Sequence, residues 1–181
     1  MPFGPVHGSA RKYRQKQGDA KVSDFDSSEP LRGLEIGKVP DWISEHLRIY
    51  RESGGRQGHL FDTSFAGGGT AVPTLLLTTV GRRSGASHTM PLIYGEVDGK
   101  YVLIGSKGGA PTQPAWYHNL CAQAQVELQV GPEVFAARAR TAQGAERTSL
   151  WQHMVALYPP FLEYRHKTSR EIPVVVVVER S

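Results

Sequence analysis

The stretch TLLLTTVGRRSGASHTMPLIYGEVDGKYVLI, residues 74–104, decides the fold. Apolar and β-branched residues fill three runs, which we interpret as strands at 73–80, 86–94 and 100–106. Two turn signals separate the runs: GRRSG at 81–85 and the dipeptide Asp98-Gly99. Such short links join antiparallel neighbours, so the stretch predicts a three-stranded meander that carries two arginines at one tip.

Further elements flank this meander. Asp41 can cap a helix with apolar residues at helical spacing through Tyr50, which ends at Ser53-Gly54-Gly55 before a loose segment at 56–72. Pro114 suits the first position of a short helix at 114–121. We predict strands at 125–130, 134–140 and 173–179, a helix at 143–157 and an aromatic loop at 158–164. Six strands with short links favour a mainly β protein, a six-stranded closed or split β-barrel with flanking helices.

Length and composition limit the class of protein. A chain of 181 residues that is 39% hydrophobic suits one domain, predicted at 41–181, after a loose tail at 1–40 that is rich in glycine, proline, serine and charge. The single cysteine, Cys121, excludes a disulfide framework and fits a reducing cytoplasm. Scattered histidines and one cysteine predict no metal site. No apolar run approaches the roughly 20 residues that span a bilayer.

The basic residues point to an anionic ligand. The formal net charge is +4, and two basic turns, Arg82-Arg83-Ser84 and Ser106-Lys107-Gly108-Gly109, end neighbouring predicted strands. Guanidinium groups, exposed N–H groups at a glycine turn and a helix start all bind phosphate or carboxylate. Each turn alone is also typical of a soluble hairpin tip. The sequence lacks a dinucleotide fingerprint, a P-loop and a nucleophile elbow, so a bound cofactor is expected to carry any chemistry.

A set of short motifs in a fixed order carries a resemblance to a known family. They are TTxGRxSG at 78–85, PL at 91–92, SKGG at 106–109, PxWYxNL at 114–120, YPxxxxY at 158–164 and IPVVV at 172–176. Residues 41–179 resemble the deazaflavin-dependent nitroreductases of actinobacteria, which have a split β-barrel and use the reduced 8-hydroxy-5-deazaflavin coenzyme F-420. The resemblance implies an oxidoreductase that transfers a hydride to a quinone-like, nitroaromatic or activated unsaturated acceptor.

The resemblance also implies the site residues. Three residues are expected beside the acceptor as catalytic groups: Ser106, Tyr158 and Tyr164. The residues expected to bind the coenzyme lie on the basic hairpin and its second strand, at the end of the third strand, on the short helix and in the aromatic segment; they are Arg82, Arg83, Ser84, His88, Thr89, Met90, Pro91, Leu92, Ile93, Ile104, Gly105, Ser106, Lys107, Ala115, Trp116, Tyr117, His118, Asn119 and Phe161. Tyrosine is common in the family at the Phe161 position and arginine at the His88 position.

Other functions remain open on sequence grounds. Phe161 would suit a tailoring reductase that acts on a C=C or C=N bond of a natural product. A nucleic-acid-binding barrel would explain the basic charge, but the bases gather in two turns and a tail instead of a groove with interleaved aromatic residues. A non-catalytic coenzyme carrier would bind without turnover. We expect a small-molecule acceptor, no nucleic acid, a monomer, and a cytoplasmic location with the basic tail able to contact the inner face of the membrane.

Overall fold

The computed structural model describes residues 40–179, so the predicted tail at 1–40 lies outside the described residues except for Pro40. The helices are α1 (Asp41–Glu52), α2 (Ala115–Ala122), α3 (Gly144–Leu157) and α4 (Pro160–His166). The strands are β1 (Leu60–Phe61), β2 (Val72–Val80), β3 (Ser87–Val97), β4 (Lys100–Ile104), β5 (Gln125–Val130), β6 (Glu133–Thr141) and β7 (Val174–Glu179), with 3-10 turns at Ser64–Ala66 and Lys107–Gly109. No helix between residues 40 and 179 is long and apolar enough to cross a membrane.

Six of the described strands close into an antiparallel barrel. Their order is β2-β3-β4-β7-β6-β5, and a pairing between β5 and β2 closes the ring. The predicted six-stranded barrel with flanking helices is therefore confirmed. The additional strand β1 pairs with the first two residues of β2. It lies on the same edge of β2 that pairs with β5 at residues 76–78. Sequence reasoning missed β1 because its two residues lie in the segment that we predicted as loose.

The apolar residues form two layers, one inside the barrel and one outside it. Leu75, Leu103 and Val175 belong to the interior. Val174 and Val176 face outward and pack with Met154 of α3 and its neighbours. Because β7 has the barrel interior on one side and α3 on the other, both of its faces are buried, and its sequence is a continuous run of valines.

Tyr50 joins α1 to the line along which the barrel closes. Its side chain is 0% exposed. The hydroxyl donates to the carbonyl of Thr74 on β2 at 3.1 Å, lies 3.3 Å from the carbonyl of Gln129 on β5, and accepts the N–H of Gly131 at 2.8 Å. Just after the helix, a Cβ on Gly55 would lie 1.6 Å from the Gly131 oxygen, so only glycine allows this close approach.

Three local predictions were wrong in detail. The aromatic segment at 158–164 is mostly helical, because Pro160 begins α4 at a position where its missing N–H breaks no helical hydrogen bond. Asp41 does not cap α1; it is the first helical residue after Pro40, and its carboxylate complements the helix dipole. Pro114 precedes α2 with extended backbone angles (φ −65°, ψ 149°) instead of forming its first residue.

His46 is a buried ionisable group on α1. Its side chain is 2% exposed, its ring stacks on Phe61 at a centroid distance of 4.1 Å, and its Nε2 lies 2.8 Å from the Gly58 carbonyl oxygen. Since a carbonyl only accepts, Nε2 must carry the proton and donate. Burial lowers the pKa of His46 below its ordinary value, more than the hydrogen bond to Gly58 raises it.

Replacing Tyr50 by phenylalanine tests the closure contact. The Tyr50→Phe variant keeps the ring but leaves the buried N–H of Gly131 without its partner. We expect the free energy of unfolding to fall by about 1–3 kcal/mol, measured by urea denaturation with an unchanged m-value. A change below about 0.5 kcal/mol, the usual range for surface substitutions, would show that the hydroxyl does not stabilise the closure.

The neutral state of His46 predicts a pH dependence of stability. Well above pH 6.5, the ordinary pKa of histidine, His46 is neutral in both the folded and the unfolded chain. Its contribution to the free energy of unfolding is then complete. As the pH falls below that value the unfolded chain takes up a proton that the folded chain does not, so the free energy of unfolding falls by up to about 1.4 kcal/mol per pH unit until the folded pKa is reached. His46→Gln keeps a donor for Gly58, and its stability should decline less steeply. Equal slopes in both proteins would refute this assignment.

Candidate active site

The second strand of the basic hairpin has an open edge. β3 pairs with β2 over residues 87–93, but β4 pairs only with residues 94–97 of β3. Toward β4, residues 87–93 therefore have no strand partner within the described part of the chain. An unpaired strand edge presents backbone N–H and C=O groups that a planar polar ligand can bind.

Alternation along β3 divides the predicted coenzyme-binding residues into two sets. Met90 and Leu92 pack with the barrel interior, so they can reach a ligand only through their backbone. Ile93 packs with the outer layer beneath the helices. Thr89 also faces outward, where its hydroxyl lies 2.7 Å from a guanidinium nitrogen of Arg51. Coenzyme binding by the residues of this strand therefore stays a prediction, and Met90 and Leu92 would take part through backbone groups.

The GRRSG turn is fixed by α2 while its two arginines remain available. The N–H of Arg82 donates to the side-chain oxygen of Asn119 at 3.2 Å, and the Asn119 amide nitrogen donates to Thr79 at 3.1 Å. Asn119 is buried, whereas Arg82 and Arg83 are exposed. Neither guanidinium forms an ion pair within residues 40–179. The turn therefore presents two unpaired positive charges on a fixed backbone.

Ser84 and His88 lie together over Gly81. The Ser84 hydroxyl is 3.4 Å from Nε2 of His88, and a Cβ on Gly81 would approach these two atoms to 2.6 and 2.7 Å. Both side chains are exposed. The structure thus brings His88 to the turn that carries Arg82 and Arg83.

The second basic turn has an unusual backbone. Ser106 is right-handed (φ −69°), and the next three residues are left-handed, with φ of 49° at Lys107, 61° at Gly108 and 83° at Gly109. A right-handed residue followed by a left-handed one turns consecutive N–H groups toward one side and forms a concave anion site. Lysine adopts this conformation at a cost of about 1–2 kcal/mol. The Lys107 ammonium donates to Thr112 at 2.9 Å.

Arg170 holds this loop in place, and sequence reasoning missed it. Its guanidinium donates to the carbonyls of Gly105 (3.1 Å), Ser106 (2.6 Å) and Ala110 (2.8 Å) and to the Gln113 side-chain oxygen (2.6 Å). Burial lowers the pKa of Arg170 from its ordinary value, although an arginine stays charged. More than fifty residues separate Arg170 from its partners, so no local sequence signal could have identified it.

Two of the predicted aromatic site residues, Tyr158 and Phe161, are buried. Tyr158 is 3% exposed and Phe161 is 4% exposed, and their rings meet edge to face at 4.9 Å. Both pack in the outer apolar layer, where Phe161 also meets Trp151. Tyr164 is half-buried, and its hydroxyl lies 3.4 Å from that of Tyr158. Burial raises the pKa of Tyr158 well above its ordinary value, so this phenol stays protonated.

Helix α4 contacts the second basic turn directly. A Cβ on Gly109 would lie 2.7 Å from the Tyr164 carbonyl oxygen and 2.7 Å from Cβ of Lys167. The Lys167 ammonium in turn lies 5.9 Å from the centre of the Tyr164 ring. This contact brings the predicted coenzyme loop and the aromatic segment onto one surface.

Helix α2 closes one end of the barrel. Trp116 and Leu120 pack with the interior, and the hydroxyl of Tyr117 lies 3.1 Å from that of Thr141. Ala115 and His118 are exposed. The buried face of the helix supports the barrel, and direct contact of Trp116 with the coenzyme stays a prediction. Residues 40–179 contain no group of three or more histidine, cysteine, aspartate or glutamate side chains able to hold a metal ion.

Comparison with known proteins identifies relatives of this arrangement. An F-420H(2)-dependent quinone reductase of Mycobacterium tuberculosis is 38% identical to this chain over 154 residues. A putative F-420H(2)-dependent quinone reductase of Mycobacterium bovis has the same identity over the same length. The alignment covers 78% of this chain and 99% of each relative. A solved chain described as a domain-swapped dimer is 39% identical with a TM-score of 0.57, covering 76% of this chain and 97% of that one. The solved F-420-H2 dependent reductase FDR-A is 43% identical with a TM-score of 0.54, covering 58% of this chain and 93% of that one.

The sequence pattern of the F-420H(2)-dependent quinone reductase family matches residues 42–179, which include the barrel and its flanking helices. The matched region contains both basic turns, the open edge of β3 and the aromatic residues of α4. The chain belongs to the F-420H(2)-dependent quinone reductase family.

Proposed function

We propose that this protein is an oxidoreductase that transfers a hydride from reduced coenzyme F-420 to a quinone-like acceptor. One observation carries the proposal. The residues that match the family include two basic turns and, between them, the open edge of β3. Reduced coenzyme F-420 is the cofactor of this family, and its relatives in mycobacteria include reductases of quinones.

The residues present fit this coenzyme. Arg82 and Arg83 offer unpaired guanidinium groups to an anionic arm, and the 106–108 backbone adds N–H groups beside the Lys107 ammonium. The open edge at 87–93 suits a planar ring with carbonyl and N–H groups. We therefore assign the anionic arm to the two turns and the ring to the edge between them.

The chemistry divides between the coenzyme and the chain. When bound, the reduced coenzyme supplies a hydride, which carries two electrons to the acceptor. The chain must orient the acceptor, exclude water and deliver a proton to the quinone oxygen, so that hydride and proton together give the hydroquinone. Ser106 and Tyr164 are the hydroxyl groups we assign to this proton transfer. Tyr158 lies 3.4 Å from Tyr164, and because burial holds it protonated its hydroxyl can orient that of Tyr164 by a hydrogen bond without giving up its own proton.

Assembly and location stay predictions. The domain-swapped dimer among the relatives describes that protein, and our expectation for this chain is a monomer. The basic residues expected to touch the inner face of the membrane lie outside the described residues. A cytoplasmic location likewise rests on the sequence alone.

Turnover with a simple quinone tests the proposal. Purified protein should oxidise reduced coenzyme F-420 when menadione is added, as followed by the return of the visible absorbance of the oxidised coenzyme. Arg83→Ala and Lys107→Ala should each weaken coenzyme affinity by about ten- to a hundredfold, because each removes a charge-assisted contact of about 1.5–3 kcal/mol. The catalytic rate at saturating coenzyme should change less.

Arg138→Ala is the matched control, because Arg138 is exposed on β6 and lies outside the proposed site. Its affinity for the coenzyme should equal that of the original chain. If menadione and nitroaromatic or enone acceptors all fail to oxidise the reduced coenzyme, the proposed activity is wrong. If turnover persists with unchanged affinity in both variants, the activity stands but the two turns do not bind the coenzyme.

Arg170 should act as a positioning residue for the coenzyme. Arg170→Lys keeps the charge but cannot reach four acceptors with one ammonium. We expect about a tenfold rise in the KM for the coenzyme, in line with the loss of one or two hydrogen bonds. In Arg170→Ala, added guanidinium ion at non-denaturing concentration should restore part of the affinity. An unchanged KM, or the same gain from added guanidinium in the Arg138→Ala control, would exclude this role.

A further inference from the structure

We propose that the protein has a second ligand site, a groove that takes an organic anion with an aromatic or aliphatic body. The groove lies between α3 and residues 162–172, and its volume is about 820 Å³. Pockets that bind small molecules commonly measure roughly 300–1,000 Å³. None of its lining residues belongs to the coenzyme or catalytic residues predicted from the sequence.

The lining combines an apolar wall with positive charge. Trp151, Val155 and Leu162 provide the apolar part, and Leu162 is among the exposed large apolar residues of the chain. Arg147 and Arg165 provide two guanidinium groups. A ligand with an apolar body and one carboxylate or sulfonate group matches this pairing, because the body covers the apolar wall while the anion meets a guanidinium.

Arg147 is fixed in place but incompletely paired. One terminal nitrogen donates to the Ile172 carbonyl at 2.9 Å, and the guanidinium carbon lies 6.0 Å from the Trp151 ring centre. Its Nε is buried and has no hydrogen-bond partner within the described residues. The nearest carboxylate oxygen, on Glu171, lies 3.5 Å from Nε, and the Glu171 side chain is 74% exposed. This approach is an ion pair without hydrogen-bond geometry.

An unpaired buried N–H of a charged group is unfavourable, and native structures rarely retain one without a reason. A ligand carboxylate has two oxygens and can accept from a guanidinium in a bidentate manner, which a long contact to an exposed glutamate does not provide. Because the Glu171 side chain is mostly in solvent, it can move aside at little cost. Arg147 is therefore the residue that we expect to hold the ligand anion.

The groove adjoins the proposed coenzyme site without being part of it. Arg170 lines the groove, while its guanidinium holds the carbonyls of Gly105 and Ser106 on the coenzyme loop. A ligand in the groove would therefore touch the segment that orders the loop. The proposal itself requires only that the groove binds an organic anion, and it can be tested without the coenzyme.

The test uses 2-naphthoate as the probe and two-dimensional 15N NMR of the full chain as the readout. The side-chain Nε–H of Arg147 and the indole N–H of Trp151 each give a signal that reports directly on the groove. Both should shift saturably with 2-naphthoate. The neutral isostere 2-naphthamide should bind about tenfold more weakly, because it lacks the charge that meets the guanidinium.

Two variants and one control locate the binding. Arg147→Gln and the exposed Arg165→Gln should each weaken 2-naphthoate binding at least about fivefold, whereas Arg138→Gln on β6 should not change it. If Arg147→Gln fails to fold, Arg165→Gln alone decides. Equal binding of the amide, an absence of saturable shifts, or shifts confined to residues 82–84 would each overturn the proposal.

Discussion

The pairing of β2 with β5 covers three residues on each strand, and the hydroxyl of Tyr50 sits at the end of it. A barrel needs every strand to be paired on both edges, and this short ladder is where the ring closes. The phenol reaches a carbonyl on β2, a carbonyl on β5 and the N–H of Gly131 in the turn after β5. One side chain from outside the sheet thus completes the hydrogen bonds that the two strands lack at this point.

The candidate site follows from a mismatch in strand length. β3 has eleven residues and β4 has five, so part of β3 extends beyond its neighbour. On either side of that edge the chain has a basic turn, and a distant side chain fixes each one: Asn119 holds the first and Arg170 holds the second. Because these supports bond backbone groups, Arg82 and Arg83 keep their own charge free for a ligand.

Local patterns predicted most of the fold. The meander at 74–104, the helix at 143–157 and the terminal valine strand each have a strong period or turn signal, and each appears with boundaries shifted by at most a few residues. The prediction of a loop at 158–164 was wrong. Two prolines suggest a loop, but Pro160 is the first residue of a helix, a position where proline is tolerated.

Two other properties of the site depend on three-dimensional context. The four acceptors of Arg170 lie more than fifty residues away in the chain, so no window of sequence contains the interaction. The burial of Phe161 depends on α3 covering the outer face of the barrel, where Trp151 meets its ring. Motif resemblance predicted candidate residues for the site, but it could not distinguish exposed side chains such as Arg82 from buried ones such as Phe161 that support the fold.

The contact at Gly109 bears on how this site can diversify. A Cβ on Gly109 would lie 2.7 Å from the carbonyl oxygen of Tyr164 and 2.7 Å from Cβ of Lys167, the residue after α4. The separation between loop and helix is therefore set by main-chain atoms and one Cβ, and not by the outer parts of the side chains that α4 carries. Substitution of the half-buried Tyr164 can change the shape and polarity of the surface beside the loop, while the spacing between loop and helix at Gly109 stays the same. Substrate range and scaffold geometry can then evolve separately.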